Sequence, residues 1–377
     1  MKTWIVFLLA IITNSVSGQW SVESRELINN FEYPFKNSYV GTVWSSCRAK
    51  KYKLEELNAT FHPVMVKNSY YNLPEIPVRF FKTKSKSKGT IVFVTGIFGN
   101  YSGGLSTQIL KEYLDDGMNI LSLGNPLGSR NIEKLPKYVP GDLIVEGRAF
   151  YESTRLAIIE LKKLGFDLGK INVLGVSYGG LTASIMTAID QGKIFNGKLA
   201  LLSPPLEMSY ALMQMDSLID DVRDYHHLSK WRLQAISARF CYFPVKRKPS
   251  FAQLQRAKAS FTILGFQRPL VKAVKLGSRL LNIGKLPTRR NWENSFTFKE
   301  FFSIVPELGP LYYGEKDRLF YWLKQSKIPY QVFTSLDDPL NEDLSWPPGE
   351  YLLSLEMGGH YGLRNFDIFP KLLKSVF

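Results

Sequence analysis

The sequence predicts an α/β chain built on a mostly parallel sheet with crossover helices and interrupted late by a helical insertion. Three observations carry this. Between residues 90 and 202, short apolar runs rich in β-branched residues alternate with longer stretches of helical period. Strands buried on both faces read as such runs, and their alternation with helices marks a parallel sheet. The rhythm then stops from 206 to 325, where helical stretches and loops dominate. It returns at 330–334 and 351–355. With 45% hydrophobic residues among 377, the chain can bury such a core, and the composition excludes a disordered segment.

The elements follow in order. Residues 1–18 read as a signal peptide: Lys2 supplies the positive start, Trp4 to Ile12 the short apolar run, and Val16, Ser17 and Gly18 the small residues before a cut ahead of Gln19. A secreted or periplasmic protein is therefore expected. Residues 19–205 form the first part of the core and 326–377 the second. Within the first part, strands are predicted at 78–81, 90–95, 119–123, 171–174 and 199–202. Helices are predicted at 107–115, 147–164 and 180–190. Gly124-Asn125-Pro126 and Pro204-Pro205 close two of the strands. Residues 206–325 form the insertion, read as a lid.

Charge is concentrated in that lid. From Tyr225 to Trp292 there are 15 Lys and Arg and no Asp or Glu, equal to the whole-chain net charge of +15. Leu270, Val274, Gly277 and Leu281 fall on one helical face, with Lys272, Lys275 and Arg279 off it. This pattern suits a cap helix packed on the core, or one lying on an anionic membrane surface. Nucleic acid is not expected as a partner, since no reading motif is present. The two cysteines, Cys47 and Cys241, leave open whether they pair. The four histidines, His62, His226, His227 and His360, are not spaced with cysteines or carboxylates as metal ligands.

The chemistry-bearing motif is Gly175-Val176-Ser177-Tyr178-Gly179. A short strand runs into it and a helix runs out. A serine on that sharp turn projects its hydroxyl from the sheet, and glycines are needed where side chains would strike the neighbouring strand and helix. A nucleophilic serine needs a base, and the base an orienting acid. His360, in Gly358-Gly359-His360-Tyr361-Gly362 after the last strand, is the candidate base. His226 and His227 read as a solvated helix face, and His62 as structural. The acid is expected after the strand at 330–334. Asp338, ahead of Pro339, is the first choice, with Asp337 the alternate acid or a turn-orienting residue. Upstream, Gly96-Ile97-Phe98-Gly99 follows a strand as an oxyanion loop requires. The backbone amides of Ile97 and Tyr178 are the expected donors, with Phe98 the alternate to Ile97.

With these motifs, the sequence from about Thr90 onward resembles the α/β-hydrolase superfamily. Phe298 to Phe301, Leu311 to Gly314, Asp337 to Leu340, and Gly358 to Gly362 resemble most the YheT-type branch of esterases and lipid hydrolases. The resemblance implies an α/β-hydrolase fold with a helical lid inserted late in the sheet. It implies hydrolysis of a small-molecule or lipid ester through an acyl-serine, without a cofactor. A peptidase or amidase on the same scaffold, or a binding protein that has kept the fold, are the alternatives. Thr95-Gly96 departs from the histidine-glycine usual before the oxyanion loop.

Overall fold

The computed structural model describes residues 18–48, 50–244, 247–281, 286–288, 291–305, 314–341 and 344–377. The signal-peptide segment 1–17 and the Leu311–Tyr313 stretch lie outside the described residues.

Eight strands form one sheet: β1 (Ala59–Val66), β2 (Ile76–Thr83), β3 (Gly89–Val94), β4 (Met118–Leu123), β5 (Ile171–Val176), β6 (Leu199–Leu202), β7 (Tyr330–Ser335) and β8 (Leu352–Leu355). Their spatial order is β1-β2-β4-β3-β5-β6-β7-β8. β1 and β2 pair antiparallel, as do β2 and β4; every other pair is parallel. This is the α/β-hydrolase fold. β3 through β7 are buried along their whole length, which is why their sequences are continuous apolar runs. β1, unanticipated from sequence, is an edge strand with several exposed positions, and it carries no such run.

The helices are α1 (Val22–Asn29), α2 (Ser38–Arg48), α3 (Gly104–Asp115), α4 (Ser129–Ile132), α5 (Leu143–Lys163), α6 (Tyr178–Asp190), α7 (Met208–Asp221), α8 (Lys230–Phe240), α9 (Phe251–Ala259), α10 (Arg268–Leu280), α11 (Phe298–Ile304), α12 (Leu319–Leu323) and α13 (Ile368–Lys374). α5, α6 and α12 pack together, and α3, α13 and α1 form a second group. Strand order sets the site. After β3 the chain crosses to β4 on one side, then returns to place β5 on the other. The carboxyl ends of β3 and β5 thus flank the point where the order reverses, which is where open α/β sheets bind ligands.

A helical roof covers that point. Between β6 and β7 no strand occurs among the described residues. α8, α9 and α2 pack on one another, and a π-helical run, Ser260–Gln267, joins α9 to α10. A disulfide between Cys47 and Cys241 fastens the last turn of α2 to the end of α8, with Cα atoms 5.6 Å apart. Sequence alone left this pairing open. α11 begins with a Thr297/Glu300 capping box, and Asp216 of α7 accepts from the Phe298 and Lys299 amides at 2.6 and 2.8 Å.

The apolar face of α10 packs on the core, as the cap-helix reading expects: Leu270, Val274 and Gly277 are buried together with Ala273, while Lys272, Lys275 and Arg279 are exposed and Lys275 pairs with Glu293 at 2.7 Å. One expectation about the insertion needs correction. His226 does not lie on a solvated face. Its ring is buried, and burial lowers its pKa; only His227 is exposed. No described helix is long and apolar enough to cross a membrane.

Candidate active site

The turn after β5 places Ser177. Its backbone sits at φ 53 and ψ −128, a conformation costly for a residue with a side chain. Its backbone amide donates to the Leu202 carbonyl at 2.8 Å, and its own carbonyl accepts from the Gly180 amide at 2.7 Å. The flanking glycines permit the close approach. A Cβ on Gly179 would stand 2.4 Å from the carbonyl oxygens of both Val94 and Thr95. The pentapeptide is thus a steric requirement of bringing β3, β5 and α6 together.

Asp338, fully buried at the end of β7, accepts from His360 Nδ1 at 2.9 Å through Oδ2 and from the Leu340 amide at 3.0 Å through Oδ1. That leaves His360 Nε2 for a substrate or a nucleophile. Ser177 and His360 line the same cavity, of about 500 Å³. No Ser177–His360 hydrogen bond forms here. The Tyr361 phenol, beside them, donates to the Leu202 carbonyl at 3.4 Å, and burial drives its pKa far upward.

Asp337 contacts the loop and leaves the histidine to Asp338. Its Oδ1 accepts from the Gly358 and Gly359 amides, both at 2.8 Å, and burial pushes its pKa up to about 6. The alternate-acid assignment is therefore replaced by the turn-orienting one. Gly359 adopts φ +56, and a Cβ there would lie 2.5 Å from Thr42 Oγ1. That same Thr42 oxygen accepts from the His360 amide at 3.1 Å. The base is thus positioned from two sides: Asp337 below and α2 above.

Beyond β3, Ile97 lines the cavity, and its amide makes no hydrogen bond among the described residues. The Phe98 amide donates to Asn125 Oδ1 at 3.2 Å, so the alternate donor is already committed. Tyr178 opens α6, where helix geometry directs amides toward an anion. Its phenol donates to Glu146 at 2.5 Å. Glu146, wholly buried, also accepts from the Gly141 amide at 2.5 Å, and burial raises its pKa to about 8.

The roof completes the cavity. Phe261 and Phe266, five residues apart on the π-helical run, pack edge to face with centroids 5.0 Å apart. Phe261 also stands edge-on to the His360 ring at 6.5 Å. Arg364 lines the same space; its Nε donates to the Ser45 carbonyl at 3.1 Å, and burial lowers its pKa to about 10.

Sequence reasoning missed Thr42, Tyr361, Glu146, Arg364 and the roof phenylalanines. Tyr361 alone left a local signal, its place beside His360. The others act across long chain separations.

No protein-family model and no curated protein matches the sequence. Among solved structures the chain is similar to an esterase of Pyrococcus furiosus, at 14% identity over 86% of this chain and 91% of that one, with a TM-score of 0.46. It is similar to a lipase in its open form at 12% identity, over 84% and 98% of the two chains, with a TM-score of 0.45. A carboxyl esterase of the fungus Tuber melanosporum gives 13% identity over 87% and 90%, with a TM-score of 0.39. Likeness at this level is too distant to assign a function. The fold assignment rests on the strand order, and the reading of the site on its geometry.

Proposed function

We propose that the chain is an exported serine hydrolase that cleaves carboxylic esters through an acyl-serine at Ser177. The observation that carries this reading is the Asp338–His360 pair on the wall of a cavity that also holds a strained, strand-end serine. In the acylation step Ser177 Oγ attacks the ester carbonyl while His360 Nε2 takes the hydroxyl proton. Asp338 fixes the imidazole through Nδ1 and balances the imidazolium charge. The amides of Ile97 and Tyr178 meet the tetrahedral oxyanion. Collapse breaks the ester C–O bond, and His360 delivers the proton to the departing alcohol. Water then repeats the sequence on the acyl-serine and releases the acid. The apolar roof of Phe261 and Phe266 suits an acyl chain. The Cys47–Cys241 disulfide supports export, because such bonds persist in oxidising compartments.

The test is fluorophosphonate labelling together with turnover of p-nitrophenyl esters of rising chain length. Labelling and turnover are expected in the wild type, with both lost in Ser177→Ala. Folded wild-type protein that neither labels nor turns over any ester would overturn the reading.

A further inference from the structure

Beside the catalytic cavity lies a second one of about 380 Å³, lined by three cations: Arg79 of β2, Arg130 of α4, and Lys134 just beyond α4. Tyr101 sets the two arginines. Their guanidinium carbons lie 5.4 and 5.6 Å from its ring centre, and Arg130 donates to its hydroxyl at 3.0 Å. Arg79 also rests on the Phe61 ring at 5.2 Å. Lys134 has no comparable partner. Its ammonium makes no hydrogen bond or ion pair among the described residues, and burial, with Arg79 nearby, lowers its pKa to about 8. The one carboxylate on the wall, Glu133, is exposed and pairs with none of the three.

Folding has therefore gathered three positive groups around one recess, none of them ion-paired among the described residues. Like charges brought together in this way raise the local affinity for an anion. We propose that this recess binds a phosphate group, with Arg79, Arg130 and Lys134 as its ligands. Two guanidinium forks and an ammonium match a tetrahedral anion with three free oxygens better than a carboxylate with two. Asn100 lines both cavities, so the site adjoins the oxyanion loop, yet none of its three cations lines the Ser177 cavity. The volume leaves room for a substituent on the phosphate.

Isothermal titration calorimetry at low ionic strength tests this without reference to catalysis. The titrants are inorganic phosphate, glycerol 3-phosphate and acetate. The proteins are wild type, Lys134→Met, Arg79→Gln, and Lys272→Met as an exposed change of equal charge. Saturable one-to-one binding of a phosphate compound is expected. It should weaken at least about tenfold in Lys134→Met and in Arg79→Gln and hold in Lys272→Met, with acetate bound far more weakly. Tighter binding of inorganic phosphate identifies the free ion as occupant, and tighter binding of glycerol 3-phosphate identifies a phosphomonoester. Affinity should also fall from pH 7 to 9, as Lys134, which shares the recess with Arg79, Arg130 and Glu133, loses its proton. Absence of saturable binding overturns the proposal. So does acetate bound as well as phosphate, or an equal loss in Lys134→Met and Lys272→Met. The Arg79→Gln titration decides the matter should Lys134→Met fail to fold. Because no ester is turned over, these results are separate from any failure of the hydrolase reading.

Discussion

The sheet and the helical roof hold the two halves of one site by different means. Under the site, Ser177, Asp338 and the Ile97 loop stand at the ends of strands buried along their length. Their positions are dictated by strand pairing and by glycines that no other residue can replace without moving backbone. Above it, Phe261 and Phe266 stand on a π-helical run within helices that pack on α2 and are tied by one disulfide. π-helical runs are uncommon and concentrate at functional sites. On the proposed reading, bond-making chemistry belongs to the sheet and substrate choice to the roof.

The most severe break falls on the sheet side. Asp338→Asn should leave the melting temperature nearly unchanged and lower kcat by about 10⁴-fold, because the amide stabilises the wrong histidine tautomer. Steady-state kinetics on one short ester, with a thermal melt on the same sample, checks it. A loss below tenfold would remove Asp338 from the site.

Two predictions sharpen the contrast in stability. Replacing both Cys47 and Cys241 by serine should lower unfolding stability by about 4 kcal/mol, as expected for a cross-link closing so long a loop. Urea denaturation measures it, and unchanged stability would show that the bridge does not anchor the roof. On the sheet side, Glu146 sits behind Tyr178 with its pKa raised from the ordinary value to about 8. A raised carboxyl pKa favours folding while the group is protonated. That contribution is full below about pH 4.5 and is lost as the pH rises through about 8. Stability should therefore fall between pH 5 and 8.5, and Glu146→Gln should remove on the order of 4 kcal/mol of that fall. Denaturation curves at the two pH values decide it; identical pH dependence in both proteins rejects the role given to Glu146.

The same contrast explains what the sequence makes legible. Strands buried on both faces write themselves as apolar runs closed by glycine or proline, so β3 to β7 can be read directly. The serine turn can be read because steric contact with Val94 and Thr95 demands glycine nearby. β1 is hidden by its exposed face. α2 is hidden because Val40 to Ser45 are all buried, leaving no amphipathic period. Thr42 reaches the His360 amide across 318 residues, and Cys47 reaches Cys241 across 194. Contacts at such separations leave no local pattern. The face of α10 that is buried is legible too, because Leu270, Val274 and Gly277 recur at helical spacing with Lys272, Lys275 and Arg279 off that face.

The mildest and most selective effect belongs to the roof. Phe261 lines the catalytic cavity, packs on Phe266 and borders His360 edge-on, yet it bonds to none of the candidate catalytic groups. Phe261→Ala should therefore leave kcat on an acetyl ester within about threefold of wild type, while lowering kcat/KM on longer acyl esters by about 10- to 100-fold, the scale on which apolar pockets discriminate chain length. A chain-length series on both proteins reads the slope of kcat/KM against acyl carbons. A parallel drop at every length would mean that Phe261 acts by positioning His360 and belongs with the sheet-side machinery. A slope flattened only for long chains would place substrate choice in the π-helical run.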